Sequence, residues 1–218
     1  MSKNFKGYMG DQIGKLGPAV GRRWKNRMVY SSYQGKVKNP KTPEQQIVRA
    51  RFAALSNLAT EFTTAFMTGM GLAAKNANVS ERNLFFRKNW DAVRAEAPES
   101  VTVGYSAMAL SWGSLKGVTF SGARFDEALT VKANFTANQT SVKTDASDEV
   151  YIFAYAPEVD EGVLSAPANR DDGTLSMSVP SGWNGLTVHV WGFTVGGKKG
   201  LNKGLASMTS YIGNGTIA

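Results

Sequence analysis

A helix start near residue 42 constrains this chain more than any other stretch. It lies in Asn39-Pro40-Lys41-Thr42-Pro43-Glu44-Gln45-Gln46-Ile47-Val48-Arg49-Ala50-Arg51-Phe52. Thr42 is a good N-cap, because its hydroxyl can accept from backbone N–H groups that have no partner in the first turn. Pro43 falls at the first helical position, where its missing N–H removes nothing the helix would use. Gln45, three residues after Thr42, can complete a capping box. Val48, Phe52, Leu55, Ala59, Phe62, Phe66 and Met70 then recur every three or four residues. That spacing predicts one continuous apolar face, with Gly69 and Gly71 marking its expected end. Such a face packs on a neighbour as a core helix or is presented to a partner.

The segment before the helix differs in charge. Residues 1–51 hold 12 Lys/Arg against Asp11 and Glu44, a net of +10, whereas residues 52–218 hold 13 against 15 acids, a net of −2. Basicity confined to one end points to a polyanion or an acidic protein surface. Residues 1–38 also carry Gly7, Gly10, Gly14, Gly17, Gly21 and Gly35. Within them, Ala19–Trp24 and Arg27–Tyr33 read as two strands joined at Lys25-Asn26. Alternation places Val20, Arg22 and Trp24 on one side and Arg23 on the other. Arg22, Arg23, Lys25 and Arg27 interleave with Trp24 and Tyr30, and Lys36, Lys38 and Lys41 follow. Cations beside aromatic rings suit a phosphate backbone with exposed bases. They also suit an acidic protein, or simply a solvated face. The expected contact residues are Arg22, Arg23, Trp24, Lys25, Arg27, Lys36, Lys38 and Lys41.

Beyond the first helix, Ser80 is an N-cap candidate with Glu81 in the first turn. The stripe of this second helix is Phe86, Trp90 and Val93, with Leu84 and Phe85 beside it, and Pro98 closes the helical part. Residues 73–79 connect the two helices as an antiparallel pair. From about Ser100 the period shortens to two. Alternating runs at 107–112, 118–120, 129–135, 150–156, 175–179, 186–193 and 208–212, with a tight turn at Asp171-Asp172-Gly173, predict an antiparallel β-sandwich of immunoglobulin-like architecture. The expected fold is therefore α+β in three parts: a basic Gly-rich hairpin arm (1–41), a helical hairpin (42–99) and the sandwich (100–218).

Chemistry is sparse. The chain has no cysteine and one histidine, so it offers neither a Cys–His pair nor a multi-histidine zinc site. A Ser-His-Asp triad lacks its Gly-x-Ser-x-Gly elbow. His189 sits in Thr187-Val188-His189-Val190-Trp191, where alternation turns His189 and Trp191 away from the core as surface or interface residues. Gly10–Lys15 fails as a phosphate loop, because the spacing is wrong and Leu16 stands where Ser or Thr is required. The acids at Asp145, Asp148, Glu149, Glu158, Asp160, Glu161, Asp171 and Asp172 lack EF-hand spacing. They read as solvated loop charge, against a loop calcium site or a glycosidase carboxylate pair. No cofactor is expected. The start, Met1-Ser2-Lys3-Asn4-Phe5-Lys6-Gly7-Tyr8, lacks an apolar signal-peptide core. No apolar run approaches the ~20 residues of a membrane span. We expect a chain made in the cytoplasm, which a virion or secretion machine can later carry outside.

The residues Gly14–Gly21, Trp24-Lys25, Asn39–Gln45, Arg49 and Phe52, with Val188–Phe193 and Ser207–Gly213 near the end, resemble an uncharacterised family common in Bacteroidetes. Its members share a Gly-rich basic start, a helical middle and a β-rich end. The resemblance implies no activity. The Asn-Pro-x-Thr-x-x-Gln opening followed by Arg-x-x-Phe is also similar to segments of phage structural and morphogenesis proteins. Together these favour a non-enzymatic structural protein of a phage or phage-like particle, anchored by its basic arm. Its expected partners are other proteins of a larger homo- or hetero-oligomeric assembly. Two alternatives remain: a cytoplasmic nucleic-acid-binding protein, and a carbohydrate-binding β-domain using exposed Trp183 or Trp191.

Overall fold

The computed structural model describes residues 3–4 (backbone only), 12–25, 27–36, 39–138, 144–197 and 202–218. The chain forms two compact units, Met1–Thr42 and Pro43–Ala218.

The first unit is a four-stranded antiparallel sheet in the order β1 (Lys3–Asn4), β2 (Gln12–Leu16), β3 (Ala19–Trp24) and β4 (Arg27–Ser32). The expected hairpin is present, with Trp24 opposite Arg27 and Arg22 opposite Val29. Lys25 adopts φ +53° at the head of its turn; Asn26 and Lys38 lie outside the described residues. A second tight turn precedes it. Gly17 at φ +58° supplies the left-handed first position between Leu16 and Ala19, the place where such hairpins take glycine.

The second unit begins with helix α1 (Pro43–Glu61), starting at the proline. α2 (Thr63–Asn76) follows after a one-residue break at Phe62, which sits at ψ 4°. The backbone ladder still bridges the break through Phe62 N–H to Leu58 O and Phe66 N–H to Phe62 O. Two expectations are corrected here. The helical run does not stop at Gly69 or Gly71. At Gly69 a Cβ would lie within 3 Å of Ser111 Cβ and Leu110 O, so glycine there lets another segment cross the helix closely. The apolar stripe also divides. Leu55, Ala59, Phe62, Phe66 and Met70 are buried, but Val48 and Phe52 are 52% and 54% exposed, Phe52 lying against the half-buried Phe86 with ring centroids 5.0 Å apart.

α3 (Glu81–Asn89) opens as expected, with Ser80 Oγ accepting from Asn83 N–H at 3.2 Å. Its buried side is Leu84 and Phe85, whereas Phe86 and Trp90 are only half-buried. Helical structure ends before Pro98. Val93 already belongs to β5 (Val93–Ala97), which pairs with β6 (Ser100–Val103).

The remaining strands are β7 (Thr119–Glu127), β8 (Thr130–Thr136), β9 (Glu149–Ala156), β10 (Glu161–Leu164), β11 (Ala168–Asn169), β12 (Thr174–Ser178), β13 (Thr187–Val195) and β14 (Ser210–Thr216). One antiparallel sheet runs β10-β9-β13-β14 with β11 also on β9, and a second runs β12-β8-β7. Between them lies a core that includes Val131, Phe135, Ile152, Leu175, Trp183, Val188 and Val190. The opposite face of β9 and β13 carries Phe153, Tyr155, Trp191 and Phe193 into a second core with the helices. A strand covered on both faces reads as a continuous apolar run rather than a clean alternation, as Val150–Ala156 does. The Asp171-Asp172-Gly173 turn is present, as a single 3-10 turn ended by Gly173 at φ +70°.

Residues 107–112 alternate like a strand but form none. Their polar backbone groups are taken by side chains and by a helix. Asn89 Nδ2 donates to Ala109 O at 2.8 Å, and Asn89 Oδ1 accepts from Ala109 N–H at 2.7 Å. Thr209 Oγ1 accepts from Leu110 and Ser111 N–H. Trp112 N–H donates to Gly69 O. With those groups satisfied, no sheet partner is needed.

Candidate interaction surface

Residue pairing in the first unit sorts its side chains by face, because directly opposed residues of an antiparallel sheet share a side. Lys15 opposes Val20, Arg22 opposes Val29 and Trp24 opposes Arg27. One face therefore carries Ile13, Lys15, Val20, Arg22, Trp24, Arg27 and Val29. The other carries Leu16, Ala19, Gly21, Arg23, Met28 and Tyr30. On that second face Tyr30 stands opposite Gly21, and its ring lies 3.1 Å from where a glycine Cβ would be.

The first face collects cations from three strands. Lys15, Arg22 and Arg27 are all exposed, and Trp24 is 43% exposed. Lys15 Nζ stands 3.8 Å from the Tyr33 ring centroid, and Lys25 Nζ stands 5.5 Å from that of Trp24. Tyr33 is tied to the sheet end by its N–H to Pro18 O at 2.6 Å. An open hollow of about 410 Å³ is lined by Arg22, Arg23, Trp24 and Val29. Among the described residues of this unit there is no acid to neutralise the patch. Lys36 and Lys41 are exposed but lie beyond the strands. Alternation within a single segment does not reach Lys15 and Tyr33. The signal that reaches them is Gly17-Pro18, a turn dipeptide that makes Gln12–Leu16 a strand and sets Lys15 beside Val20.

The second unit places the other candidates in its cores. Trp183 and Trp191 are both 0% exposed, which corrects the expectation that they stand on the surface. Each indole is spent internally, Trp183 Nε1 donating to Glu161 Oε2 at 2.8 Å and Trp191 Nε1 to Tyr105 O at 3.0 Å. His189 is half-buried against the Tyr105 ring, with centroids 4.2 Å apart, and its Nδ1 lies 2.8 Å from the Tyr211 hydroxyl. Burial holds its pKa below the ordinary value of 6.5. Nearby, burial and then the hydrogen bond to Asp160 push the Tyr155 phenol well above its usual range.

Of the loop acids, Asp148 is fully buried. It accepts from Arg170 Nη2 at 3.0 Å, both side chains being 0% exposed. Arg170 Nη2 also donates to Lys116 O at 2.7 Å, so this pair ties three loops together. Asp145, by contrast, is only half-buried. The Ser147 N–H and hydroxyl both donate to its carboxylate and hold its pKa below the usual value. Among the described residues no group of three or more His, Asp or Glu is arranged to hold a metal ion. Among them, too, no helix is long and apolar enough to cross a membrane.

The model of DUF6266, a family of unknown function, matches residues 10–212, and the chain belongs to that family. No curated protein and no solved structure matches it.

Proposed function

We propose that this member of DUF6266 is a non-enzymatic structural or assembly protein, a component of a phage or phage-like particle anchored by its basic N-terminal arm. The observation that carries this reading is the contrast between the two units. Residues 43–218 own two apolar cores. Residues 1–42 hold ten Lys/Arg against Asp11 alone and keep Leu16, Trp24, Tyr30 and Tyr33 exposed. Exposed aromatic and cationic side chains on a small sheet are the composition of an interface. In this reading the facing sheets act as an immunoglobulin-like sandwich, a rigid body. The helices are a docking element, and the chain is made in the cytoplasm and then incorporated into a virion. His189, stacked on Tyr105 and bonded to Tyr211, is packed as a structural side chain, in keeping with this reading.

The test is truncation. A chain starting at Asn39 is expected to melt cooperatively near the parent's temperature and to lose self-association or incorporation into a larger particle. Thermal melts beside light scattering or co-purification read both outcomes. A molten truncated chain makes the arm part of the core, and a folded one that still assembles moves the anchor elsewhere.

A further inference from the structure

The geometry points to a single-stranded nucleic acid as the ligand of one face of the arm sheet. Lys15, Arg22 and Arg27 lie on its phosphates and Trp24 stacks on a base. This rests on the reading that the arm is the contact-making part of the chain, and it names what the arm contacts.

Three observations carry it. The register places Lys15 beside Val20, Arg22 two residues further along β3, and Arg27 beside Trp24 a further two along. Successive same-face positions on a strand are about 6.6 Å apart, so the cations form a diagonal row across three strands rather than a single clump. Aromatic rings stand within that row, Tyr33 next to Lys15 and Trp24 next to Arg22 and Lys25. Rings among cations on an open sheet face form a sequence-tolerant stacking platform, because every base has a π-face. Finally, the hollow lined by Arg22, Arg23, Trp24 and Val29 is open and about 410 Å³, and no acid stands among the described residues of the unit. An acidic protein would satisfy the charge, but a row of cations with rings between them matches the repeating phosphate and base of a single strand. A duplex would also satisfy the charge, but its bases are already stacked on one another.

The test uses the full chain with three probes: a labelled oligothymidylate, a duplex of the same length, and polyglutamate. The oligothymidylate is expected to bind tightest, with affinity falling linearly on a log–log salt plot. Replacing Lys15, Arg22 and Arg27 together with Gln is expected to reduce that slope by about 2, from about 0.7 per phosphate on a single strand. Replacing Lys36 and Lys41 with Gln is expected to change it much less. Trp24→Ala is expected to weaken the single strand about tenfold or more while leaving duplex affinity in place, and Trp24→Phe to restore most of the loss. Arg22→Lys with Arg27→Lys keeps the charge and is expected to keep the slope, which separates loss of contact from loss of the arm fold. Polyglutamate binding as well as oligothymidylate, an unaffected Trp24→Ala, or equal slope changes from the two sets of Gln substitutions would each overturn the assignment. If no nucleic acid binds yet the Asn39 truncation still abolishes assembly, the ligand is wrong and the anchor stands. If nucleic acid binds and the truncation still assembles, the anchor is wrong and the ligand stands.

Discussion

The two units of this protein place some of the same residue types differently. In residues 43–218 two of the four tryptophans are core: Trp183 and Trp191 are fully enclosed, and each indole N–H finds an internal acceptor. In residues 1–42 tryptophan is surface, with Trp24 exposed among cations. One arginine makes a similar contrast. Arg170 is sealed against Asp148, whereas Arg22 and Arg27 stand exposed on strands. The difference is one of enclosed surface. A short four-stranded sheet cannot close over large side chains by itself, while two facing sheets and a helical layer can. Residue type alone therefore says little about role here, and the number of layers around a residue says much more.

The largest effect that tests this contrast comes from equal truncations in the two units. Trp191→Ala is expected to cost about 3–5 kcal/mol of stability, because the ring fills a core that cannot collapse behind it. Trp24→Ala should stay within about 0.5 kcal/mol, as for surface sites without special geometry. Urea melts of both variants decide it, and a comparable loss at Trp24 would make the arm part of the folded core.

A smaller effect separates two glycines of one helix. Gly69→Ala drives a methyl into Ser111 and Leu110 and is expected to destabilise by about 1–3 kcal/mol. Gly71→Ala meets nothing within 4 Å and is expected to stabilise by about 0.5–1 kcal/mol, by reducing the freedom of the unfolded chain. Opposite signs in denaturant melts are the expected result, and matching signs would mean that residues 110–111 do not cross α2 as described.

Part of this organisation was legible in the sequence, and the legible part is local. Ser80 accepts from Asn83, the turn at Lys25 joins two strands, and the first helix begins at Pro43. Each of these is settled by groups within a few residues. The candidate surface was half legible, since alternation alone grouped Arg22 with Trp24. Lys15 and Tyr33 join them only through pairing across β2, β3 and β4.

The smallest effect concerns pH. The folded-state pKa of His189 lies below its unfolded value of 6.5 because of burial, so the folded chain resists a proton that the unfolded chain accepts. Its stabilising contribution is complete above pH 6.5 and is lost as pH falls toward the folded pKa. His189→Gln is therefore expected to show a shallower loss of stability than the parent between about pH 7.5 and pH 5. Urea midpoints across that range measure it. Equal slopes would place His189 in water.

By itself the sequence determined where elements start, turn and change period, because caps, prolines and left-handed turn positions act through bonds between near neighbours. It also determined that the positive charge gathers at one end. Tertiary structure decided which apolar residues are covered. Val48 and Phe66 belong to one helical stripe, yet Phe66 is buried in the core with the sheet while Val48 is 52% exposed. His189 and Trp191 share the helix-side face of β13, yet only Trp191 is sealed, beneath the helices. Residues 107–112 have the alternation of a strand but spend their hydrogen bonds on Asn89, Thr209 and Gly69. Burial needs a second surface, and no local pattern states where that surface comes from.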